Sequence, residues 1–448
     1  MEKQSNDAKK PKKQHSAPAR NWVGDNGKII EPLFADYFLS LHPMRCFQGR
    51  LFTVDGMIED EASLKKKIYE QIRYYATTSV ARRIEHIMQA IKLACASEPP
   101  EIQTDRIHVR NGTYFVDGHF TPEKEYCMNR LPIAYVPEAP APTRWLQFLN
   151  ELLYEEDIPA LQEYIGYCLL PVTKAQKMLL MVGKGGEGKS RIGLILRELF
   201  GSSMYTGSLQ KVETNRFARA DLEYKLLLVD DDMKTEALPQ TNNIKTLVTL
   251  EDKIDIERKG QQSVQGTLYV RFACFGNGSL HALYDKSNGF YRRQLLLTTK
   301  EKPVGRVDDP FLIDKMRGEK EGILLWALEG LHRLIRNNYQ FTISERTAAN
   351  LKEAMEQGNN ILGFLKSEGY FEIRQGAKCK STDFYKVYER CLDNLEKPLA
   401  ASTFIHHLKD NQKSLGIVYD DKCIGTNRGF HNVDVDLFLP VDVPSPWD

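Results

Sequence analysis

The sequence predicts an α/β protein in which a central parallel sheet lies between a small mixed N-terminal domain and a C-terminal domain of helices and short strands. Three observations carry this prediction. Apolar runs suited to buried parallel strands occur at 177–182, 226–229, 268–276 and 294–298. A glycine-rich loop and a helical pattern follow the first run directly. After residue 360 the pattern changes to three helices and two short strands.

Length and composition restrict the classes of protein to consider. The chain has 448 residues, which at ~100–200 residues per domain corresponds to about two to four domains. Hydrophobic residues make up 42% of the chain and charged residues 27%, a balance that supports packed cores. Because 61 Lys and Arg nearly cancel 60 Asp and Glu, contact with nucleic acid would have to come from local basic patches.

Neither a membrane protein nor a disulfide-rich protein is expected. The apolar runs fall well short of the roughly eighteen residues that a membrane span needs, and the N-terminus is polar and basic. The 8 cysteines lie far apart without a CxxC pair, which argues against a zinc cage or a disulfide framework. We therefore expect a reducing, cytoplasmic location and no membrane contact.

The N-terminal third divides into three predicted parts. Residues 1–21 are strongly basic and predict a flexible tail, which is either a solubilising extension or an arm that contacts a polyanion. Residues 22–140 predict a small mixed domain with two amphipathic helices and a hairpin at 107–116. Prolines between 132 and 142 mark a linker, and a helical segment follows over 141–175.

The glycine-rich loop, residues 183–190, is the strongest chemical signal. It has the sequence GKGGEGKS, a match to GxxxxGKS, between a predicted strand and a predicted helix. Its glycines allow backbone amides to surround an anion, and the helix N-terminus adds partial positive charge. Lys189 would reach the β- and γ-phosphates of ATP, and the Ser190 hydroxyl would bind Mg²⁺. Nucleotide contacts are expected from Gly183, Gly185, Gly186, Glu187, Gly188, Lys189 and Ser190.

An acidic triplet, Asp230-Asp231-Asp232, follows the second apolar run. An acid at the carboxyl end of a buried strand can hold Mg²⁺, and a second acid can orient or deprotonate an attacking water. We assign Asp230 to the metal and Asp231 to the water. The alternatives are a solvated acidic loop and a shift of one residue in the two roles.

Two further polar features follow the third apolar run and precede the fourth. Asn277 comes at the end of the third run, where its carboxamide could hydrogen-bond the γ-phosphate and the water; an ordinary Asn-Gly turn is the alternative. Arg292 and Arg293 come just before the fourth run. One of them could reach the γ-phosphate of a neighbouring subunit as an arginine finger, and a surface ion pair is the alternative.

The order of these motifs resembles the superfamily 3 helicase domain of the AAA+ class, in the phage, plasmid and poxvirus-type primase-helicase branch. The resemblance covers about 107–302 and rests on RLPIAYVPEAPAP, LQEYIGYCLLPVTKAQKMLLMVGKGGEGKS, LLLVDDD, IDIERKG, FACFGN and GFYRR. It implies ATP-binding, metal-binding, sensor and finger roles for Lys189, Ser190, Asp230, Asp231, Asn277 and one of Arg292 and Arg293. It also implies an AAA+ P-loop core over 176–305, a helical lid or connector over 306–358 and a winged-helix-like domain over 359–448.

The resemblance also assigns a DNA-gripping hairpin to residues 253–260. The alternation of Ile254 and Ile256 predicts a strand that leads to a tight turn at Gly260. Arg258 and Lys259 would then project into the channel of a ring and hold backbone phosphates of single-stranded DNA. An ordinary charged hairpin is the alternative.

Two departures from the family pattern stand out. Many relatives carry a primase module upstream, whereas the N-terminal part of this chain is short and lacks its acidic signature, so primer synthesis is not expected. The Asn277 strand ends in FGNGSL, where relatives often have a Thr-Asn pair. On the predicted third C-terminal helix, Ser402, His406 and Lys409 form a surface that could bind an origin duplex or a protein, or stabilise the ring.

Together these patterns favour an ATP-dependent, ring-forming replicative DNA helicase that translocates on single-stranded DNA for a phage, plasmid or satellite element. The expected cofactors are ATP and Mg²⁺. The expected partners are single-stranded DNA, origin duplex DNA, further copies in a hexamer, and a primase or replication-initiation protein in a bacterial cytoplasm. The main alternative is an AAA+ ATPase that remodels or loads a replication protein without unwinding DNA. A non-catalytic origin-binding regulator is a third interpretation.

Overall fold

The computed structural model describes residues 21–76, 78–233, 241–250, 252–260, 262–277, 288–303, 305, 308–367, 369–392, 398 and 400–435. The predicted basic tail, 1–21, lies outside the described residues except for Asn21. The chain divides into two compact units, Met1–Glu101 with Lys124–Met128, and Ile102–Glu123 with Asn129–Asp448.

The first unit packs three helices against a small antiparallel sheet. Its elements are α1 (Glu31–Leu41), β1 (Arg45–Phe47), β2 (Arg50–Thr53), β3 (Gly56–Met57), α2 (Ala62–Ile72) and α3 (Val80–Ala94), with sheet order β1-β2-β3. The two predicted amphipathic helices are confirmed as α2 and α3, which bury Ile68 and Ile87. These side chains share one core with Trp22 and Phe34.

The boundary between the units differs from the predicted domain over 22–140. The predicted hairpin forms β4 (Arg106–Val109) and β5 (Gly112–Phe115), joined by β6 (Phe120–Thr121), and it belongs to the second unit. The reason is packing, because Ile107, Val109 and Tyr114 lie in the same core as Trp145. Pairing of Val109 with Gly112 leaves Arg110 and Asn111 as the turn, one residue earlier than the predicted Asn-Gly pair.

The second unit is built on a five-stranded parallel sheet. Its strands and the hairpin beside it are β7 (Met178–Val182), β8 (Met204–Thr206), β9 (Leu227–Met233), β10 (Ile254–Ile256), β11 (Val264–Gly266), β12 (Arg271–Gly276) and β13 (Gln294–Thr298). The sheet order is β13-β7-β12-β9-β8, and every pair in it is parallel. All four predicted strands are therefore confirmed, and β8 is an additional edge strand.

Helices cover both faces of this sheet. They are α4 (Thr143–Leu152), α5 (Ile158–Cys168), α6 (Lys189–Phe200), α7 (Leu209–Thr214), α8 (Asn242–Val248), α9 (Asn288–Tyr291), α10 (Leu312–Arg317) and α11 (Lys320–Arg336). Successive strand residues point to opposite faces. Accordingly, Leu179 and Met181 of β7 lie in one core with α6, whereas Leu180 and Val182 lie in the core on the other face.

The C-terminal part of the second unit packs helices on a three-stranded antiparallel sheet. Its elements are α12 (Glu345–Lys366), β14 (Glu372–Lys380), α13 (Ser381–Cys391), α14 (Ala401–Asp410), α15 (Gln412–Leu415), β15 (Val418–Ile424) and β16 (Asn427–Asp434), with order β14-β16-β15. The three predicted helices are present, and Phe364, Phe384 and Phe404 form their core. The sequence analysis missed β14, because its mostly exposed residues show no apolar alternation.

Candidate nucleotide site

The glycine-rich loop connects β7 to α6 at the carboxyl edge of the parallel sheet. Gly185, Gly186 and Gly188 have φ values of +108°, +81° and +115°, a region that side-chain-bearing residues rarely adopt. Gly183 is required for a different reason, since a Cβ there would lie 2.2 Å from the Thr299 Oγ1 atom. This backbone presents the loop amides and the first turn of α6 to one cavity, as an anion site requires.

Lys189 places its charge inside this loop. Its side chain is only 8% exposed, although it is the first residue of α6. The Nζ atom donates to the Glu187 Oε2 atom at 2.8 Å and to the Asn277 Oδ1 atom at 3.3 Å. The ammonium group is therefore held at the centre of the candidate site by two side chains that the sequence also assigned to it.

Glu187 accepts two hydrogen bonds within the loop. Its Oε1 atom accepts from the Gly185 N–H at 2.7 Å, while its Oε2 atom accepts from Lys189. The side chain is 3% exposed. Burial acts to raise the pKa of Glu187, but the bonds from Lys189 and the backbone outweigh it and leave the pKa below its usual value.

The acidic triplet at the end of β9 gives its first two carboxylates different hydrogen-bond partners. Asp231, not Asp230, accepts a hydrogen bond from the Ser190 side chain. Asp230 points to the opposite face, where its Oδ2 atom accepts from the Leu209 N–H at 2.8 Å. The Ser190 hydroxyl is therefore paired with Asp231 and not with Asp230, while the binding of a metal by either carboxylate stays a prediction.

The alternation of strand residues explains this one-residue difference. Val229 packs in the core on the α6 face, so Asp231, two residues later, points the same way, while Asp230 follows Leu228 to the other face. The register with β12 shifts between Cys274 and Gly276, which indicates a bulge beside Asp231 and Asp232. Both of these acids line the cavity as a result.

The pKa values of the two aspartates respond mainly to burial. Burial raises the pKa of Asp231, while the bond from Ser190 lowers it and the Asp232 charge raises it further. Burial also raises the pKa of Asp230, against the opposing effect of the Leu209 N–H. The charges of Asp231 and Asp232 repel each other in the same cavity, and a bound cation would relieve this repulsion.

Asn277 lies between the glycine-rich loop and the acidic triplet, as the order of strands in the sheet predicts. It follows β12, and β12 runs between β7, which leads into the loop, and β9, which ends in the acids. A cavity of about 330 Å³ is lined by Lys189, Ser190, Asp231, Asp232 and Asn277, among others. Its volume is at the lower end of the range typical of small-ligand pockets.

The two candidate arginines lie at the other edge of the sheet. Arg292 and Arg293 precede β13, which is parallel to β7 and has 5 residues, so about 16 Å of strand separates them from the loop edge. The Arg293 guanidinium donates to the Gly289 carbonyl oxygen of its own chain. Arg292 is exposed, and its carbonyl oxygen accepts from the Lys177 Nζ atom at 2.5 Å.

The basic hairpin is formed as predicted, but its two cations differ. Strands β10 and β11 pair antiparallel, and Gly260 has a φ of +74° in the connecting turn. Arg258 forms an ion pair with Glu223, whose side chain is 6% exposed. Lys259 is exposed. Arg258 therefore connects the hairpin to Glu223 of the same unit, while the contact of Arg258 and Lys259 with single-stranded DNA in the channel of a ring stays a prediction.

The donor set fits Mg²⁺ bound together with a phosphate group. Within the described ranges, no group of three or more His, Cys, Asp or Glu side chains forms a ready metal cage. Mg²⁺ in phosphate-transfer sites is held by one or two carboxylates and a hydroxyl, with substrate oxygens and water completing the shell. Ser190 and Asp231 fit such a set, and Asp232, to which the sequence analysis gave no role, also lines the cavity.

Two segments of the chain match protein families. Residues 41–153 match the family described as D5 N terminal like, and residues 181–293 match a family of unknown function, DUF5906. Each match covers less than half of the chain. Both overlap the block with the superfamily 3 resemblance. No curated protein matches the sequence.

Solved structures show a distant likeness. The A form apo structure of the NrS-1 C terminal region is 12% identical, with a TM-score of 0.47 over 90% of this chain and 100% of that one. A second A form apo structure, of NrS-1 residues 305–718, is 12% identical, with a TM-score of 0.46 over 90% of this chain and 99% of that one.

No helix in the described part of the chain has the length and apolarity to cross a membrane.

Proposed function

We propose that this protein is an ATP-dependent, ring-forming replicative DNA helicase of a phage, plasmid or satellite element. The observation that carries the proposal is the convergence of Lys189, Ser190, Asp231 and Asn277 on one cavity. These residues come from three separate sequence motifs, and their types are those that phosphoryl transfer from a nucleoside triphosphate requires. The matches at 41–153 and 181–293 support a phage replication protein of the primase-helicase type.

In this proposal each side chain has a role at the γ-phosphate. The loop amides and Lys189 bind the β- and γ-phosphates and neutralise charge that develops on the transferred group. Ser190 and Asp231 would hold Mg²⁺, which supplies further charge neutralisation when it is bound. Asn277 and Asp232 would orient the attacking water, because both are exposed polar side chains that line the same cavity.

The position of the arginines supports an assembly. Arg292 and Arg293 come just before β13 at the edge opposite the loop, so neither reaches the cavity of its own chain by a simple side-chain movement. Since Arg293 already donates to Gly289, the exposed Arg292 is our choice for a finger that acts on the neighbouring subunit. A ring, with a hexamer as the expected form, would then make hydrolysis depend on subunit contact.

One observation favours a second candidate function. The pairing of Arg258 with Glu223 removes one of the two predicted DNA-gripping cations from the hairpin surface. A weaker basic tip would suit an AAA+ ATPase that remodels or loads a replication protein. The helicase remains the preferred proposal because Lys259 and Lys253 are both exposed on this hairpin.

Strand displacement on a forked duplex, combined with native mass measurement, tests the proposal. The helicase predicts ATP-dependent displacement by an oligomer, and hydrolysis that single-stranded DNA stimulates. Arg292→Ala should abolish ATP turnover while nucleotide binding persists. Mixing Arg292→Ala subunits with Lys189→Ala subunits should restore part of the turnover, because Arg292 of a Lys189→Ala subunit can then act on the intact cavity of an Arg292→Ala subunit. A monomer that hydrolyses ATP at full rate would contradict the ring, and stimulation by a protein but not by DNA would favour the remodeller.

A further inference from the structure

Glu187 is a charged residue inside the candidate phosphate site that the mechanism above does not use. Its carboxylate binds the Gly185 N–H at 2.7 Å and the Lys189 Nζ atom at 2.8 Å. These are one of the loop amides and the ammonium group that the proposed nucleotide would need. With 3% of its side chain exposed, Glu187 is enclosed by the loop and does not extend into solvent.

A carboxylate and a phosphate compete for such donors. Both are anions with oxygen acceptors, and both form short hydrogen bonds with ammonium and backbone N–H groups. The Gly185 N–H has a single hydrogen, which already points to the Glu187 Oε1 atom. A phosphate oxygen cannot take that hydrogen bond while the carboxylate keeps it, and two anions beside Lys189 would repel each other.

We propose that Glu187 acts as an internal substitute for a phosphate group and thereby sets the affinity of the loop for nucleotide. The carboxylate satisfies the loop when no nucleotide is bound, and it must leave Gly185 and Lys189 before a triphosphate can bind there. Glu187 is in this sense an affinity-determining residue, and it weakens binding by the free energy of the contacts that are broken. The inference rests on the proposed nucleotide site.

If Glu187 competes with the ligand, the loop should select ligands by the size of their negative charge. A ligand must offer enough negative charge to displace the carboxylate, so a triphosphate with Mg²⁺ should succeed where inorganic phosphate fails. Removing the charge of Glu187 while keeping its shape should therefore strengthen binding of every phosphate ligand. The relative gain should be largest for the small ones, because they have no base or ribose contacts to compensate.

The test compares Glu187→Gln with Glu301→Gln in the full chain. Glu301 pairs with Lys184 at 2.5 Å beside the same loop, but both side chains are well exposed, at 74% and 79%. The two substitutions remove the same charge from the same region, and only the first releases Gly185 and Lys189. The probes are a fluorescent non-hydrolysable ATP analogue with Mg²⁺, measured by anisotropy, and inorganic tripolyphosphate as a competitor.

The expected result is a Kd for the analogue that is about tenfold lower in Glu187→Gln, because hydrogen bonds to charged groups no longer have to be broken. Glu301→Gln should change the Kd by less than about twofold. The melting temperature without ligand should fall in Glu187→Gln and recover when the analogue is added, because the loop loses its internal partner.

Other outcomes separate the inference from the function on which it rests. Unchanged or weaker binding in Glu187→Gln, with tight binding in wild type, would overturn the inference and make Glu187 a residue that positions Lys189. Equal gains in Glu187→Gln and Glu301→Gln would also overturn it, since a general charge effect would explain both. Absence of binding in wild type would instead contradict the proposed function. If Glu187→Gln does not fold, Glu187→Ala provides the same comparison, because it also removes the carboxylate.

Discussion

The glycine-rich loop and the β10–β11 hairpin are both charged connections that the sequence singled out, yet the structure treats their charges differently. In the loop, Lys189 is buried and held by Glu187 and Asn277 at the centre of a cavity. In the hairpin, Arg258 pairs with Glu223 and Lys259 is exposed. The loop backbone therefore fixes the position of Lys189. The position of Arg258, by contrast, depends on Glu223, which is distant in sequence.

The largest expected effect is a difference in ATP turnover between substitutions of two lysines in the glycine-rich loop. Lys189→Ala removes the cation at the centre of the cavity and should lower ATP turnover by roughly 10²–10³-fold. Lys184→Ala removes an exposed lysine that pairs with Glu301 at 2.5 Å, and it should leave turnover within about twofold. Steady-state hydrolysis assays check both values. Similar losses in the two variants would break the distinction between buried and exposed loop charges.

The second comparison concerns the two faces of β9. Asp231→Asn should reduce Mg²⁺-dependent turnover on the order of 10²-fold, because a charged ligand beside Ser190 is lost. Asp230→Asn keeps an oxygen that can accept from Leu209, so its main effect should be about 1 kcal/mol of unfolding free energy. Turnover assays with a Mg²⁺ titration and urea unfolding separate the two. The reverse pattern would restore the original assignment of the metal to Asp230.

A smaller effect should appear when the hairpin loses its anchor. Arg258→Ala leaves the Glu223 carboxylate, 6% exposed, without its guanidinium partner, and should lower the unfolding free energy by about 1–3 kcal/mol. Urea denaturation of Arg258→Ala, Glu223→Gln and the double variant measures the coupling between the two side chains. Additive changes would show that the ion pair does not hold the hairpin.

The smallest effect belongs to the exposed tip. Lys259→Ala should leave stability unchanged within about 0.5 kcal/mol, because Lys259 is an exposed residue. If Lys259 contacts one phosphate, the slope of log K against log salt for a single-stranded oligonucleotide should fall by about 0.7. Binding measured at several salt concentrations checks this, with Lys66→Ala as the control, because Lys66 is an exposed lysine of the first unit. An unchanged slope would favour the remodelling ATPase.

Much of the fold was visible in the sequence because backbone and apolar patterns act locally. The strand before the loop, the loop and α6 follow one another within 178–200, and their glycines and apolar runs are sufficient to predict each element. The carboxyl ends of parallel strands lie at one edge, which predicts that Lys189 and Asn277 meet. By contrast, β8 and β14 were missed, because short edge strands and exposed strands lack a clear apolar period.

The chain by itself determined which motifs exist and which edge of the sheet they share. Only the tertiary structure decided that Asp231 and not Asp230 contacts Ser190, that Glu187 binds the loop amide, and that Arg258 pairs with Glu223. Glu187 reaches an amide only two residues away, through a loop backbone that the pattern of residues does not specify. The other two cases share a different reason. A strand buried on both faces is apolar at nearly every position, so its sequence does not show which residues point to which face. An ion pair or hydrogen bond also joins residues that lie far apart along the chain, and the sequence alone does not say which residues these are.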